Sequence, residues 1–440
     1  MPKGWKITTL VLLSAIIYYY FGYQIDRTNF YELLAGFSIL FGLYVLLIKQ
    51  AKLDELKKYQ YLGIVLRLIF LFSIPKLSDD YFRFIWDGQL LANGINPFDF
   101  LPAEVRIDFP NKELLLSGMN SPEYYSIYPP IAQFIYWIGA ILSPNSILGS
   151  VISMRVLLIL AEIGTILLIP KILTALKMNP LNSLWYILNP LVIVELSGNL
   201  HFEALMIFFL LGALYFILKN KKTASAVMWA LAAGSKLIPL VFLPVLFRKY
   251  KVKDLILIYS ITVLVFLLLW FPLFNSDMLA HFSESFNLYF KSFEFNASLY
   301  YLVRWIGFQI TGYNIIAIAG VYMPKIALGI MLLMMMRKPN VKWINVFESL
   351  LFAISIYYLF AFIIHPWYIC TVLVLGVFTK FQFGVLWSFL AVLSYWAYQT
   401  SAYEENFYLI ALEYVMVICF FCYEFFKYKQ FTNLDSKLAS

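Results

Sequence analysis

The sequence predicts an all-α polytopic integral membrane protein with about 12 transmembrane helices plus re-entrant and juxtamembrane helices. Three observations carry that expectation. Hydrophobic residues fill 62% of the 440 positions and charged ones only 13%, more apolar surface than a water-soluble domain hides. Many apolar stretches approach the roughly 20 residues that a bilayer requires. The basic residues fall in short loops between those stretches, largely on one side, as cytoplasmic loops do.

Taken in order, spans are expected near 6–23, 30–48, 60–74, 147–173, 180–197, 201–218, 253–272, 314–336, 343–364, 366–380, 382–399 and 405–427. The first has no small-residue cleavage pattern and is read as uncleaved. Segment 223–247 is interrupted by Gly234-Ser235-Lys236 and Pro239 and is basic on both flanks. A single crossing would strand one basic cluster on the wrong side, so two short helices entering and leaving by the same face are expected. Segment 129–143, after Tyr128-Pro129-Pro130, is expected as a short re-entrant or juxtamembrane helix, and 298–312 as an interfacial one. Both termini then lie in the cytoplasm. Residues 1–427 read as one membrane-embedded domain whose longest outer loop is 75–128, and 428–440 as a short, loose cytoplasmic tail.

Several function classes drop out. The net charge of +8 is dispersed over short loops and forms no continuous basic stripe for nucleic acid. Cys370 stands alone, and Cys419 with Cys422 sits inside an apolar run, a spacing read as helix packing. None of the three histidines has the spacing of a zinc-ligand pair, so no protein-bound metal is expected. No internal repeat with matching broken helices appears, which weighs against a secondary transporter.

The polar residues that matter gather on the expected outer face. Asp79 and Asp80 open a helix-like segment after the third span, with Arg83 one turn on and positioned to hold the second acid ionised. The bland reading is a helix cap with a loop charge. The sharp reading is a carboxylate that accepts a hydroxyl proton during attack on a sugar. Gly88, Gly94, Asn96 and Pro97 read as terminators of that helix. His201 and Glu203 start a span, and Glu195 lies inside the preceding one. His365-Pro366-Trp367-Tyr368 breaks two spans and offers a donor or cation for a phosphate leaving group beside aromatics for a hexose or prenyl chain. Lys236 in the broken hairpin needs an anionic partner or a wet cavity. Arg304 reads as a phosphate clamp. Asn296-Ala297-Ser298 matches a glycosylation sequon, a pattern common by chance.

The run DDYFRFIWDG…ANGINPF, the YPP turn, NLHFEAL, GSKLIPLVFLP, FNASLY and the late HPWY, in that order, resemble the GT-C superfamily of membrane glycosyltransferases, and within it the mannosyltransferases of the glycosyltransferase family 87 type. The resemblance covers roughly residues 1–400. It implies inverting transfer of a hexose, mannose first, from a polyprenyl-phosphate carrier to a lipid or glycan acceptor. The reaction would take place at an extracytoplasmic site of the plasma or inner membrane, with no cofactor. An acid of the first large outer loop would be the general base. Asp80 is favoured over Asp79 because DDYFRF matches the family's D-x-Y-x-Y-like pattern, with Phe82 and Phe84 where the tyrosines stand. His365 corresponds to a late outer-face histidine. Tyr128, His201, Glu203, Lys236, Asn296, Arg304, Trp367 and Tyr368 complete the candidate substrate-binding set with Arg83. The alternative is a non-enzymatic flippase or transporter of a polyisoprenoid-linked glycan.

Overall fold

The computed structural model describes residues 3–336 and 341–438, with side chains at all of these except 3, 289–292 and 429–438. Among them there is no strand beyond one isolated bridge between Phe295 and Ile363. In chain order the helices are α1 (Lys3–Tyr23), α2 (Phe30–Gln50), α3 (Leu56–Leu68), α4 (Asp80–Ala92), α5 (Lys112–Gly118), α6 (Pro130–Leu142) and α7 (Ile147–Ala175). Two short pieces follow, α8 (Leu184–Ile187) and α9 (Pro190–Val192), the latter running into a π-helical turn at Ile193–Gly198. Then come α10 (Glu203–Leu218), α11 (Lys222–Ser235), α12 (Pro239–Phe242), α13 (Val252–Trp270), α14 (Met278–Ser292), α15 (Leu299–Thr311) and α16 (Ile316–Met336). The last are α17 (Trp343–Phe360), α18 (Ile369–Gly376), α19 (Phe383–Leu390) and α20 (Phe407–Leu438).

Seven of these are long and apolar enough to cross a membrane, and eight if the bent pair Pro190–Gly198 and Glu203–Leu218 counts as one. About 12 full spans were expected. Segment 180–197 is broken by Pro180 and by Asn189-Pro190, where the Asn189 side chain accepts from the Leu191 N–H at 2.9 Å and starts a new turn. Segment 60–74 is helical only to Leu68, 366–380 only over Ile369–Gly376, and 382–399 loosens into 3-10 turns from Ala391 to Gln399. Much of 180–197, 366–380 and 382–399 is nonetheless buried, with Ile187, Leu373 and Ala391 all at or near zero exposure, while 60–74 leaves Tyr61, Val65 and Phe72 exposed. An all-round apolar run marks burial in protein as well as burial in lipid. The last helix continues to Leu438 rather than loosening at 428, and residues 439–440 lie outside the described ones.

The hairpin at 223–247 forms as expected. Trp229 Nε1 donates to the Pro239 carbonyl at 2.8 Å across its tip, and Lys222 meets Asp254 at 2.7 Å at its base. The chain therefore leaves by the end through which it enters. The basic flanks sit there too: Lys249 reaches the Val341 carbonyl and the Trp343 ring, and Arg248 reaches Ser349.

The opposite end carries the long loop. Helix α4 crosses α6 so closely that a Cβ on Gly88 would lie 2.2 Å from the Tyr136 carbonyl oxygen. Gly88 is thus a crossing point and not a terminator, whereas Gly94, at φ +73, does end the helix. Below this pair, Arg155 of α7 is fully buried without a carboxylate partner among the described residues. Its guanidinium donates to the Ser197 (2.7 Å), Gly198 (2.8 Å), Ser73 (2.5 Å) and Leu71 (3.2 Å) carbonyls. It thereby caps the π turn and pins the chain that leads to Asp79. Replacing Arg155 with Met is expected to lower stability by about 2–4 kcal/mol, because buried carbonyls lose their donors. The loss should appear as a lower melting temperature in detergent, with Arg155→Lys recovering only part of it.

Candidate active site

At the end opposite the hairpin base, five segments converge: the start of α4, the turn after residue 198, the hairpin tip, the loop at 361–368 and the 3-10 stretch at 391–399. The turn is made by Leu200 in the left-handed region, φ +66, a conformation costly for a branched side chain and characteristic of functional sites. It sets His201 on the Trp367 ring, with centroids 3.6 Å apart and planes 15° from parallel. His365 stacks on the same indole at 4.3 Å and lies 4.9 Å from Phe295. Lys236 pairs with Glu203 and stands 4.7 Å over the Tyr368 ring. His201 Nε2 faces Glu195 Oε2 at 3.4 Å.

Asp80 is half-buried at the mouth of this cluster, and Asn120 donates to its Oδ1 at 3.2 Å. Burial pushes its carboxyl above the usual carboxylate range. His201, Asn120 and Lys236 draw it back down, while neighbouring Asp79 adds to the rise. Burial lowers the His365 imidazole well below its ordinary value, and the positive influence of His201 and Lys236 lowers it further. His365 is therefore neutral. Its Nδ1, with His201 Nε2 and Glu203 Oε2, is buried without a hydrogen-bond partner among the described residues. Three unsatisfied polar atoms in one place are unusual for a structural core.

Several expected assignments change. Arg83 does not serve Asp79 or a phosphate: it is buried, donates to Asp87 at 2.8 Å and holds the Ser121 and Tyr124 carbonyls. The partner of Asp79 is Arg27, 2.5 Å away, which also stacks over Tyr398 at 5.1 Å. Asp79 sits at the start of α4 but its side chain caps no N–H. Arg304 pairs with Glu294 inside a ring box of Tyr301, Phe308 and Phe407, and no contact joins it to Asp80 or His365. Asn296 is 1% exposed with its amide on Glu413, so its sequon is closed to glycan and its side chain points away from the cluster. Trp367 is 5% exposed and already stacked on two imidazoles, which leaves no face for a sugar. Tyr128 packs edge-on against Phe84 and Tyr136 behind α4.

Sequence reasoning passed over Arg27, Asn120, Tyr395 and Tyr398, and left Glu195 outside the set. Two left a signal: Arg27 is a basic residue in an expected outer loop, and Glu195 is an ionisable group in an apolar run. Asn120 left none, because only the folded loop brings it back to Asp80. Among the described residues no group of three His, Cys, Asp or Glu could hold a metal.

The fold and this recessed cluster define a polytopic membrane protein with a polar site at one end of a helical bundle. Residues 12–249 match the family model described as alpha-(1->6)-mannopyranosyltransferase, N-terminal domain. The chain belongs to that family. It is 26% identical over 209 residues to alpha-(1->6)-mannopyranosyltransferase A of Corynebacterium glutamicum, covering 45% of this chain and 41% of that protein. It is 22% identical over 183 residues to the protein of the same name in Mycobacterium tuberculosis, covering 40% and 34%. The matched segment thus spans about two-fifths of the curated relatives' length or less. The family-model match contains Asp80, His201, Glu203 and Lys236, and α13–α20 with His365 lie beyond it.

Arg83→Gln should act on stability. It leaves the buried Asp87 carboxylate with only Ser126 and Gln133, a loss on the order of 3–5 kcal/mol for a broken buried pair. Thermal unfolding should register that loss.

Proposed function

We propose that this protein transfers a mannosyl residue, with inversion, from a polyprenyl-phosphate carrier to a lipid or glycan hydroxyl on the extracytoplasmic face, and that Asp80 is the general base. Family membership supports the sugar and the class of reaction. The observation that carries the site is a half-buried carboxylate beside a cluster of two imidazoles and an ammonium. In the step, the acceptor oxygen bonds to the anomeric carbon as its proton passes to Asp80. The bond from that carbon to the phosphate oxygen breaks, and polyprenyl phosphate leaves with one more negative charge. Lys236 is the cation for that charge, exchanging Glu203 for the phosphate. Neutral His365 directs Nδ1 at a sugar hydroxyl. The basic loops at the hairpin end favour the cytoplasm, which supports an outward-facing site and cytoplasmic termini.

The test uses reconstituted protein, radiolabelled polyprenyl-phosphate mannose and membrane lipid or glycan acceptors, with and without chelator. Transfer is expected to survive chelation and to fall by about 10²–10⁴-fold in Asp80→Asn. Full activity in that variant would remove Asp80 from the mechanism, and label that crosses the bilayer untransferred would mark a flippase. Lys236→Met should lower kcat more than it raises the donor KM, because the charge it meets develops as the phosphate leaves.

The pH profile has a definite sign. A base whose affinity for protons is raised stays protonated to higher pH and acts only above that point. The acid limb of kcat/KM should therefore fall above the ordinary carboxylate range and vanish in the residual rate of Asp80→Asn.

A further inference from the structure

The π turn at 193–198 places one carboxylate, Glu195, beneath the whole cluster, where it is 1% exposed. Its Oε1 accepts from the Tyr395 hydroxyl at 2.6 Å. Its Oε2 accepts from Asn199 Nδ2 at 3.2 Å and faces His201 Nε2 at 3.4 Å. The Asn199 amide continues outward, and its Oδ1 accepts from the Leu77 N–H at 3.1 Å, two residues before Asp79. The orientation of that amide is fixed from both ends. Leu77 N–H can only donate and the Glu195 carboxylate can only accept, so oxygen must face the first and nitrogen the second. A backbone bond from His201 N–H to the Glu195 carbonyl, 3.3 Å, closes the turn.

We infer that Glu195 and Asn199 are positioning residues for the proposed transfer, a two-residue tether that holds the Asp79-Asp80 loop in register with His201. The inference rests on the reading of Asp80 as base. Neither side chain touches the reacting atoms; both act through the groups they place. The arrangement also accounts for the π turn, since the extra residue of its wide ring aims Glu195 inward while Gly198 ends on Arg155. Misplacing a base by about 1 Å costs up to about 10²-fold in rate, so the tether controls kcat and not donor binding.

The amide logic supplies the test. Asn199→Asp still accepts from the Leu77 N–H but sets a second carboxylate oxygen against Glu195 Oε2, and no rotation of a carboxylate supplies a donor. Adding Glu195→Gln removes the conflict, because the Gln NH₂ donates to that Asp oxygen while its carbonyl oxygen accepts from Tyr395. Asn199→Asp should lower kcat by about 10–10²-fold with donor KM little changed, and the double variant should regain most of the loss. Wild-type kcat in the single variant, parallel losses of kcat and donor affinity, or a folded double variant no better than the single would each overturn the inference. Should Asn199→Asp not fold, Asn199→Ala cuts the same tether: a fall in kcat with donor KM kept supports it, and equal losses of kcat and donor affinity overturn it. Asp80→Asn run alongside separates the levels. If Asp80→Asn is active, the base assignment fails; if it is inactive and rescue is absent, only the tether fails.

Discussion

Arg155 donates four hydrogen bonds from α7 to four backbone carbonyls, two at the end of the π turn and two in the chain after α3. In a bundle without strands, this is how two irregular segments are held at a fixed separation. A helix end buried in apolar surroundings leaves carbonyls without donors, and one guanidinium, permanently charged and forked, answers several at once. Every functional side chain on those segments inherits its place from this contact: Asp79 and Asp80 beyond Ser73, and Asn199, His201 and Glu203 beyond Gly198. A second buried cation works deeper in the bundle, where Arg67 meets Glu162 at 2.9 Å with Tyr186 on the other carboxylate oxygen. It fastens α3, α7 and α8 to one another.

The electrostatics of the site follow from where each charge finds company. Asp79 is neutralised by Arg27 at the surface, Glu203 by Lys236 and Asp87 by Arg83, so three of the four acids near α4 and α10 are committed. Asp80 has the Asn120 amide and the longer-range influence of His201 and Lys236 instead. A half-buried carboxylate without a direct ionic partner among the described residues is the member of the group free to take up a proton. Stacking of His201 and His365 on one indole removes Trp367 from substrate contact and leaves its neighbours' nitrogens as the polar lining.

The helical class, the hairpin and the grouping of Asp80, His201, Lys236 and His365 were legible because each is written in local pattern. Apolar run length gives helices, basic flanks on both sides of Gly234–Pro239 give a hairpin, and ionisable groups at span ends mark a surface. What was not legible came from contacts distant in sequence. Arg83 looked available to Asp79, but the helix carries it to Asp87 one turn on, and the partner of Asp79 lies 52 residues away. Arg304 and Asn296 were placed correctly at the same end of the molecule, yet Glu294 and Glu413 hold them in a neighbouring cluster. Several expected spans are broken into shorter helices for a related reason. Hydrophobicity reports exclusion from water, and fragments such as Leu184–Ile187 achieve that inside the bundle.

The widened turn before Gly198 makes this part of the chain more sensitive to length than to composition. A deletion of one residue there would return the backbone to ordinary helical pitch and rotate everything after it by about 100°. The carboxylate, the amide and the imidazole would then point to different quarters of the bundle. Variation among related chains should accordingly be permitted as exchanges of side chain at these positions and barred as insertions or losses.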